Sequence, residues 1–131
     1  MKKLLLLFSF LMLFGVVYSS ETLKMQATSL AYKSINSYGN WTEWSQWEDC
    51  NILVVIKRDR VNIYSQTPQE YDIYYYGAEE IDRSGGKVTT YKCIDSNGSK
   101  CDMRLRIQTD GQIQLYVDYS DFMFVYNVQF K

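Results

Sequence analysis

Apolar and polar residues alternate along most of the chain, in short runs rich in Val, Ile, Tyr and Thr that are broken by turn residues about every eight to twelve positions. Period-two patterning of this kind predicts strands with one buried face. Leu23, Met25 and Ala27 alternate with Lys24, Gln26 and Thr28, which predicts an opening strand through about Tyr32; the polar stretch from Ser34 to Asn40 reads as a loop. Ile52 to Lys57 and Val61 to Ser65 flank a candidate two-residue loop, Arg58 and Asp59. That loop sets Ile56 opposite Val61, Val54 opposite Ile63 and Ile52 opposite Ser65, so the apolar residues of both strands share a face. In Glu70 to Tyr76, Tyr71, Ile73 and Tyr75 are expected inward, and Asp72, Tyr74 and Tyr76 outward. Gly77 to Gly86 has little periodicity and reads as the longest loop of the second half.

The segment Val88 to Ile107 admits two hairpin registers. A two-residue AsnGly turn places Lys92 on the face of Cys101, Met103, Leu105 and Ile107, which buries a lysine. A three-residue loop, Ser96, Asn97 and Gly98, with Gly98 left-handed, sets Cys93 opposite Cys101 and sends Lys92, Asp102, Arg104 and Arg106 outward. An unpaired buried lysine costs several kcal/mol, so the second register is preferred. Ile113, Leu115, Val117 and Tyr119 then alternate with Gln112, Gln114, Tyr116 and Asp118. Phe122, Phe124, Tyr126, Val128 and Phe130 alternate with Met123, Val125, Asn127 and Gln129. The sum is an all-β chain: a small antiparallel up-and-down meander of about eight strands. A meander of that size exposes two long edges unless it closes, so a closed or nearly closed barrel is expected, with a two-sheet sandwich as the alternative.

The first residues have a different pattern. Two lysines, an apolar run from Leu4 to Val17 and small residues at Ser19 and Ser20 have the form of a bacterial-type secretory signal peptide, residues 1–19. The run is too short for a spanning helix, so no stable membrane span is expected after its removal. Residues 20–131 then form a single β domain, periplasmic or extracellular. The chain holds 14 basic and 15 acidic residues; loss of Lys2 and Lys3 leaves 12 against 15, a net charge of −3. That balance gives no electrostatic case for nucleic acid.

Composition narrows the chemistry. With no histidine, imidazole catalysis and His-ligated zinc are excluded. Asp59, Asp95 and Asp110 fall in predicted turns, where Asp is expected for backbone reasons. Glu79, Glu80 and Asp82 cluster in the long loop, as a solvated loop would carry them. No catalytic constellation, metal site or cofactor motif emerges. An exported chain sits in an oxidising compartment. Of Cys50, Cys93 and Cys101, the pair Cys93 and Cys101 is the expected disulfide, since the preferred register makes them cross-strand neighbours; Cys50 then remains a thiol.

Two aromatic features remain. Trp41, Trp44, Trp47 and Cys50 stand at three-residue spacing, which suits a helical turn or an irregular loop laying rings over an apolar surface rather than a strand; the three tryptophans are expected to seal one end of the barrel, with an exposed aromatic binding platform as the alternative. The W-x-x-W-x-x-W-x-x-C spacing resembles the opening of a thrombospondin type 1 repeat, in which tryptophans interleave with arginines of a neighbouring strand. The resemblance covers these ten residues, without the family's CysGly step or its six cysteines. Separately, Leu53, Val55, Tyr64, Tyr74 and Tyr76 are expected to group on the outer face as a contact patch, open or covered by the tryptophan segment. The expected function is a non-catalytic binding or protein-interaction module whose partner is a protein or a glycan. The alternatives are a lipocalin-like carrier, with a small apolar ligand among Tyr71, Tyr75, Tyr91, Leu105, Phe124 and Tyr126, and a carboxylate-only glycan hydrolase.

Overall fold

The structure, a computed structural model, describes residues 22–131; the signal-peptide expectation lies outside that range. Nine strands lie in chain order: β1 Leu23–Ser34, β2 Glu48–Ile56, β3 Arg60–Ile63, β4 Gln69–Tyr76, β5 Glu80–Ile81, β6 Lys87–Asp95, β7 Lys100–Ile107, β8 Ile113–Asp118 and β9 Phe122–Phe130. All pairings are antiparallel. The spatial order is β4-β3-β2-β1-β9-β8-β7-β6-β5, and a further β4–β6 pairing closes an eight-stranded barrel with β5 outside it. Closure removes the two long edges that an open meander would leave.

Registers obey the side-chain alternation. Val54 pairs with Ile63 and Ile56 with Val61, and Cys93 pairs with Cys101 across a Ser96–Gly98 loop in which Gly98 has φ 85°. One turn design recurs four times, at Asn36–Asn40, Asp82–Gly86, Asp95–Ser99 and Gln108–Gln112. In each, the N–H of the glycine at the fourth position donates to the carbonyl of the first, and that glycine has positive φ, a conformation costly for any other residue. In the first three, the leading Asn or Asp side chain accepts two further backbone N–H bonds; in the fourth, Asp110 accepts one from Gln112.

The lumen is filled. Met25, Val54, Ile63, Met103, Leu115 and Val117 are fully buried, and Tyr71, Leu105 and Tyr126 pack with them.

Two β-bulges reset the alternation. Between Ala27 and Ser29 in β1 the register shifts against both neighbours, so Leu30 and Tyr32 take the inward parity while Ser29, Ala31 and Lys33 turn outward. Between Ile73 and Tyr75 in β4 the register shifts against β6: Tyr75 pairs with the outward Lys92 and Tyr76 with the inward Tyr91. The expected facings of Tyr75 and Tyr76 are therefore both reversed, because one extra residue in a strand exchanges its faces beyond that point.

Candidate functional site

Past the bulge in β1, the outer face of β1, β9, β8 and β7 presents residues in rows set by register. One row runs Ser29, Asn127, Gln114, Arg106; the next Ala31, Val125, Tyr116, Arg104; the third Lys33, Met123, Asp118, Asp102. The first row is a hydrogen-bond relay in which Asn127 donates to Ser29, Gln114 to Asn127 and Arg106 to Gln114. Arg106 continues to Asp82 Oδ2 at 2.8 Å and Ser84 Oγ at 2.9 Å, which ties the β5–β6 turn to the barrel wall. Hydrogen bonds from Ser84 and then Arg106 hold the Asp82 carboxyl down at about 2. The expected loop acids are thus not one solvated group.

In the second row, Ala31 and Val125 are buried although they face outward. Their cover is the tryptophan segment. After the Asn36–Asn40 turn the chain runs back along β1: Ile35 bridges Trp41, Thr42 N–H bonds Ser34 O at 2.8 Å, and Ser45 N–H bonds Tyr32 O at 2.8 Å. The hydroxyls of Thr42 and Ser45 accept the N–H groups of Ser34 and Tyr32, in place of the carbonyls of a regular ladder. The three-residue spacing therefore corresponds to an irregular extended segment outside the named strands, and its rings meet the wall. Trp44 packs edge-on to Tyr116 with centroids 6.2 Å apart. Lys33 places its ammonium 4.7 Å from the Trp44 ring centre and 5.6 Å from that of Trp41, and Arg104 stacks 4.2 Å from Tyr116 while bonding Asp118 through two nitrogens. Rings and cations thus interleave in the order Trp41, Lys33, Trp44, Tyr116, Arg104.

The segment covers the wall with one side and remains open on the other. Trp41, Trp44 and Trp47 keep about two-fifths to one-half of their surface, as do Tyr32 and Phe122, and Tyr38 at the turn tip is 87% exposed. All six lie at or beside the β1–β2 connection, since Phe122 pairs with Ser34.

The expected patch of Leu53, Tyr64, Tyr74 and Tyr76 does not form. Tyr64 N–H bonds Leu53 O at 2.9 Å, so those two are neighbours. The β3–β4 register, Arg60 with Asp72 and Asn62 with Glu70, then puts Tyr74 about six residues away along the sheet, roughly 20 Å. Polar Asn62, Glu70, Arg60 and Asp72 lie between them, and the bulge turns Tyr76 inward. The tryptophan segment also covers a different part of the wall from the one expected.

The expected lumen lining disperses as well. Tyr71, Leu105 and Tyr126 are packed in the core, Tyr75 is outside, and Phe124 belongs to a stack of Tyr119, Phe122 and Phe124 at one barrel end. Beside that stack, Tyr119 donates to Asp95 Oδ2 at 2.7 Å, which holds the Asp95 carboxyl below its usual range. At the opposite end, a cleft of about 610 Å³ opens among Leu23, Ile56, Tyr76 and Tyr91, with Lys57 and Arg58 at its rim. Sequence reasoning missed this cleft because it exists only once the β4 bulge turns Tyr76 inward.

Cys93 and Cys101 face each other in register, yet both are free thiols, as is Cys50. Paired positions send both side chains in parallel into the core, whereas a bridge also requires the Cβ atoms to approach to about 3.8 Å. Burial pushes both thiols up to about 12. Among the described residues no cluster of three acidic or cysteine side chains has the arrangement of a metal site. The chain matches no protein-family model, no curated protein and no solved structure.

Proposed function

We propose that the protein is an exported, non-catalytic interaction module that holds a partner protein against the aromatic face of its β1–β2 connection. The observation that carries the reading is the gathering of Tyr38, Trp41, Trp44 and Trp47, each partly exposed, on one connection of a barrel whose centre is packed, with partly exposed Tyr32 and Phe122 at the adjoining rim. Tryptophan and tyrosine dominate the energetics of protein interfaces, because they bury large area at small entropic cost. Lys33 and the Thr42 and Ser45 hydroxyls fix the segment in place before any partner arrives. A preformed surface loses less freedom on association than a mobile loop. Export rests on the form of residues 1–19. The packing of Tyr71, Leu105 and Tyr126 in the core favours a surface partner over a ligand carried among them.

Photo-crosslinking in the cells that make the protein tests this reading. A crosslinking amino acid at position 38 or 47 is expected to capture one discrete protein, and the same group at position 64 or 74 to capture none. Equal yields from all four positions would overturn the proposal, as would glycan binding by the purified protein that Trp47→Ala abolishes.

A further inference from the structure

The cleft at the other end of the barrel has the composition of a small-molecule site. Its floor is Leu23 and Ile56, adjacent inward residues of β1 and β2. Across from them stand Tyr76 and Tyr91, paired in register and packed edge-to-face with centroids 5.9 Å apart. The rim is the tight β2–β3 turn, closed by a 2.7 Å bond from Lys57 N–H to Arg60 O. Of its charged residues Lys57 and Arg58 border the cleft, and neither forms an ion pair among the described residues. Asp59 comes next in the same turn, so Lys57, Arg58 and Asp59 together carry a net single positive charge on a chain that is acidic overall. A volume of about 610 Å³ falls within the usual range for ligand sites, about 300–1,000 Å³.

We infer that this cleft binds a small amphipathic acid, its apolar body laid on Leu23, Ile56, Tyr76 and Tyr91 and its carboxylate held by Lys57 and Arg58. The chemistry separates the two halves of such a ligand as the cleft separates its own residues. An apolar body displaces water from aliphatic and aromatic surface, and a carboxylate gains charge-assisted bonds from cations that have no carboxylate partner among the described residues. Burial and then the Asp59 carboxylate push the Tyr76 phenol up, and the neighbouring charge of Arg58 opposes them. A neutral ligand of the same shape forgoes the rim contacts, and a cationic one is repelled by them. This site is independent of the aromatic face of the β1–β2 connection, which lies at the opposite end of β1.

Titration of the purified protein with monomeric decanoate, decanol and decyltrimethylammonium, monitored by amide chemical shifts, tests the inference. Decanoate is expected to bind saturably and to shift the amides of Leu23, Ile56, Tyr76 and Tyr91, with decanol at least tenfold weaker and the cation weaker still. Replacing both rim cations, Lys57→Gln with Arg58→Gln, is expected to weaken decanoate at least tenfold with an unchanged melting temperature; Arg58→Gln alone gives an intermediate loss. Equal affinity for the acid and the alcohol, shifts confined to the tryptophan segment, or indifference to the rim substitutions would each overturn the assignment. So would binding to phosphatidylglycerol vesicles without binding of monomeric decanoate, since the surface would then recognise a membrane.

Discussion

Leu115 and Met103 have no exposed surface and sit on adjacent strands of the filled lumen. Truncation of either to alanine leaves a cavity that a closed barrel cannot collapse, and is expected to cost about 2–5 kcal/mol by urea denaturation. The buried cysteines give a second expectation at this scale. Because burial raises Cys93 and Cys101 to about 12, little thiolate exists near pH 8. Three thiols should titrate in denatured protein, and in native protein the half-buried Cys50 should react first; a count of one thiol in the denatured chain would contradict the structure. Asp82 supplies the pH dependence. Its folded value of about 2 lies below the unfolded value of about 3.9, so its stabilising effect is complete above about pH 4 and is lost as pH falls towards 2. Melting temperatures between pH 6 and 2 should fall along that limb, and Asp82→Asn should flatten it. Tyr119→Phe, which removes the hydroxyl bonded to Asp95, is expected to cost about 1 kcal/mol.

At the scale of elements, the tryptophan segment joins stability to function. Trp44 contacts Tyr116 and Lys33, over a wall where Ala31 and Val125 face outward yet are buried. Trp44→Ala is therefore expected to lower stability by about 1–2 kcal/mol, a figure that joins the aromatic pair to the area uncovered. Trp47, with no ring or cation contact of that kind among the described residues, should cost less than half as much on truncation. Thermal melts of the two variants compare them directly. Much of the strand pattern was legible in the sequence: the Val54–Ile63 and Cys93–Cys101 registers come from alternation and from the charge of Lys92. The two bulges were not legible. Each inserts one residue without altering composition, so a strict period of two carried across Thr28 or Tyr74 assigns the wrong face to every later residue of that strand. Both sites depend on those bulges, since Lys33 and Ala31 turn outward past the first and Tyr76 turns inward past the second. Strand β5 escaped for another reason: two residues, Glu80 and Ile81, are too few to show a period.

At the scale of the whole molecule, closure by β4 on β6 leaves one packed barrel with chemically different surroundings. One end of β1 leads into the exposed aromatic connection, and the other contributes Leu23 to a cleft with a cationic rim. The Arg106–Asp82 bond and the relay from Gln114 to Ser29 brace the wall between them. Since eight strands share one core, loss of a buried side chain should lower stability in a single cooperative transition. Substitutions on the aromatic face should instead separate binding from folding. The central claim is that this face holds the partner, and the most direct measurement is calorimetric titration of the crosslinked partner, once purified, against wild-type protein and Trp47→Ala. The account predicts at least tenfold weaker binding with a melting temperature within about two degrees of the wild type. Unchanged affinity for Trp47→Ala, and for Trp41→Ala and Tyr38→Ala beside it, would contradict it.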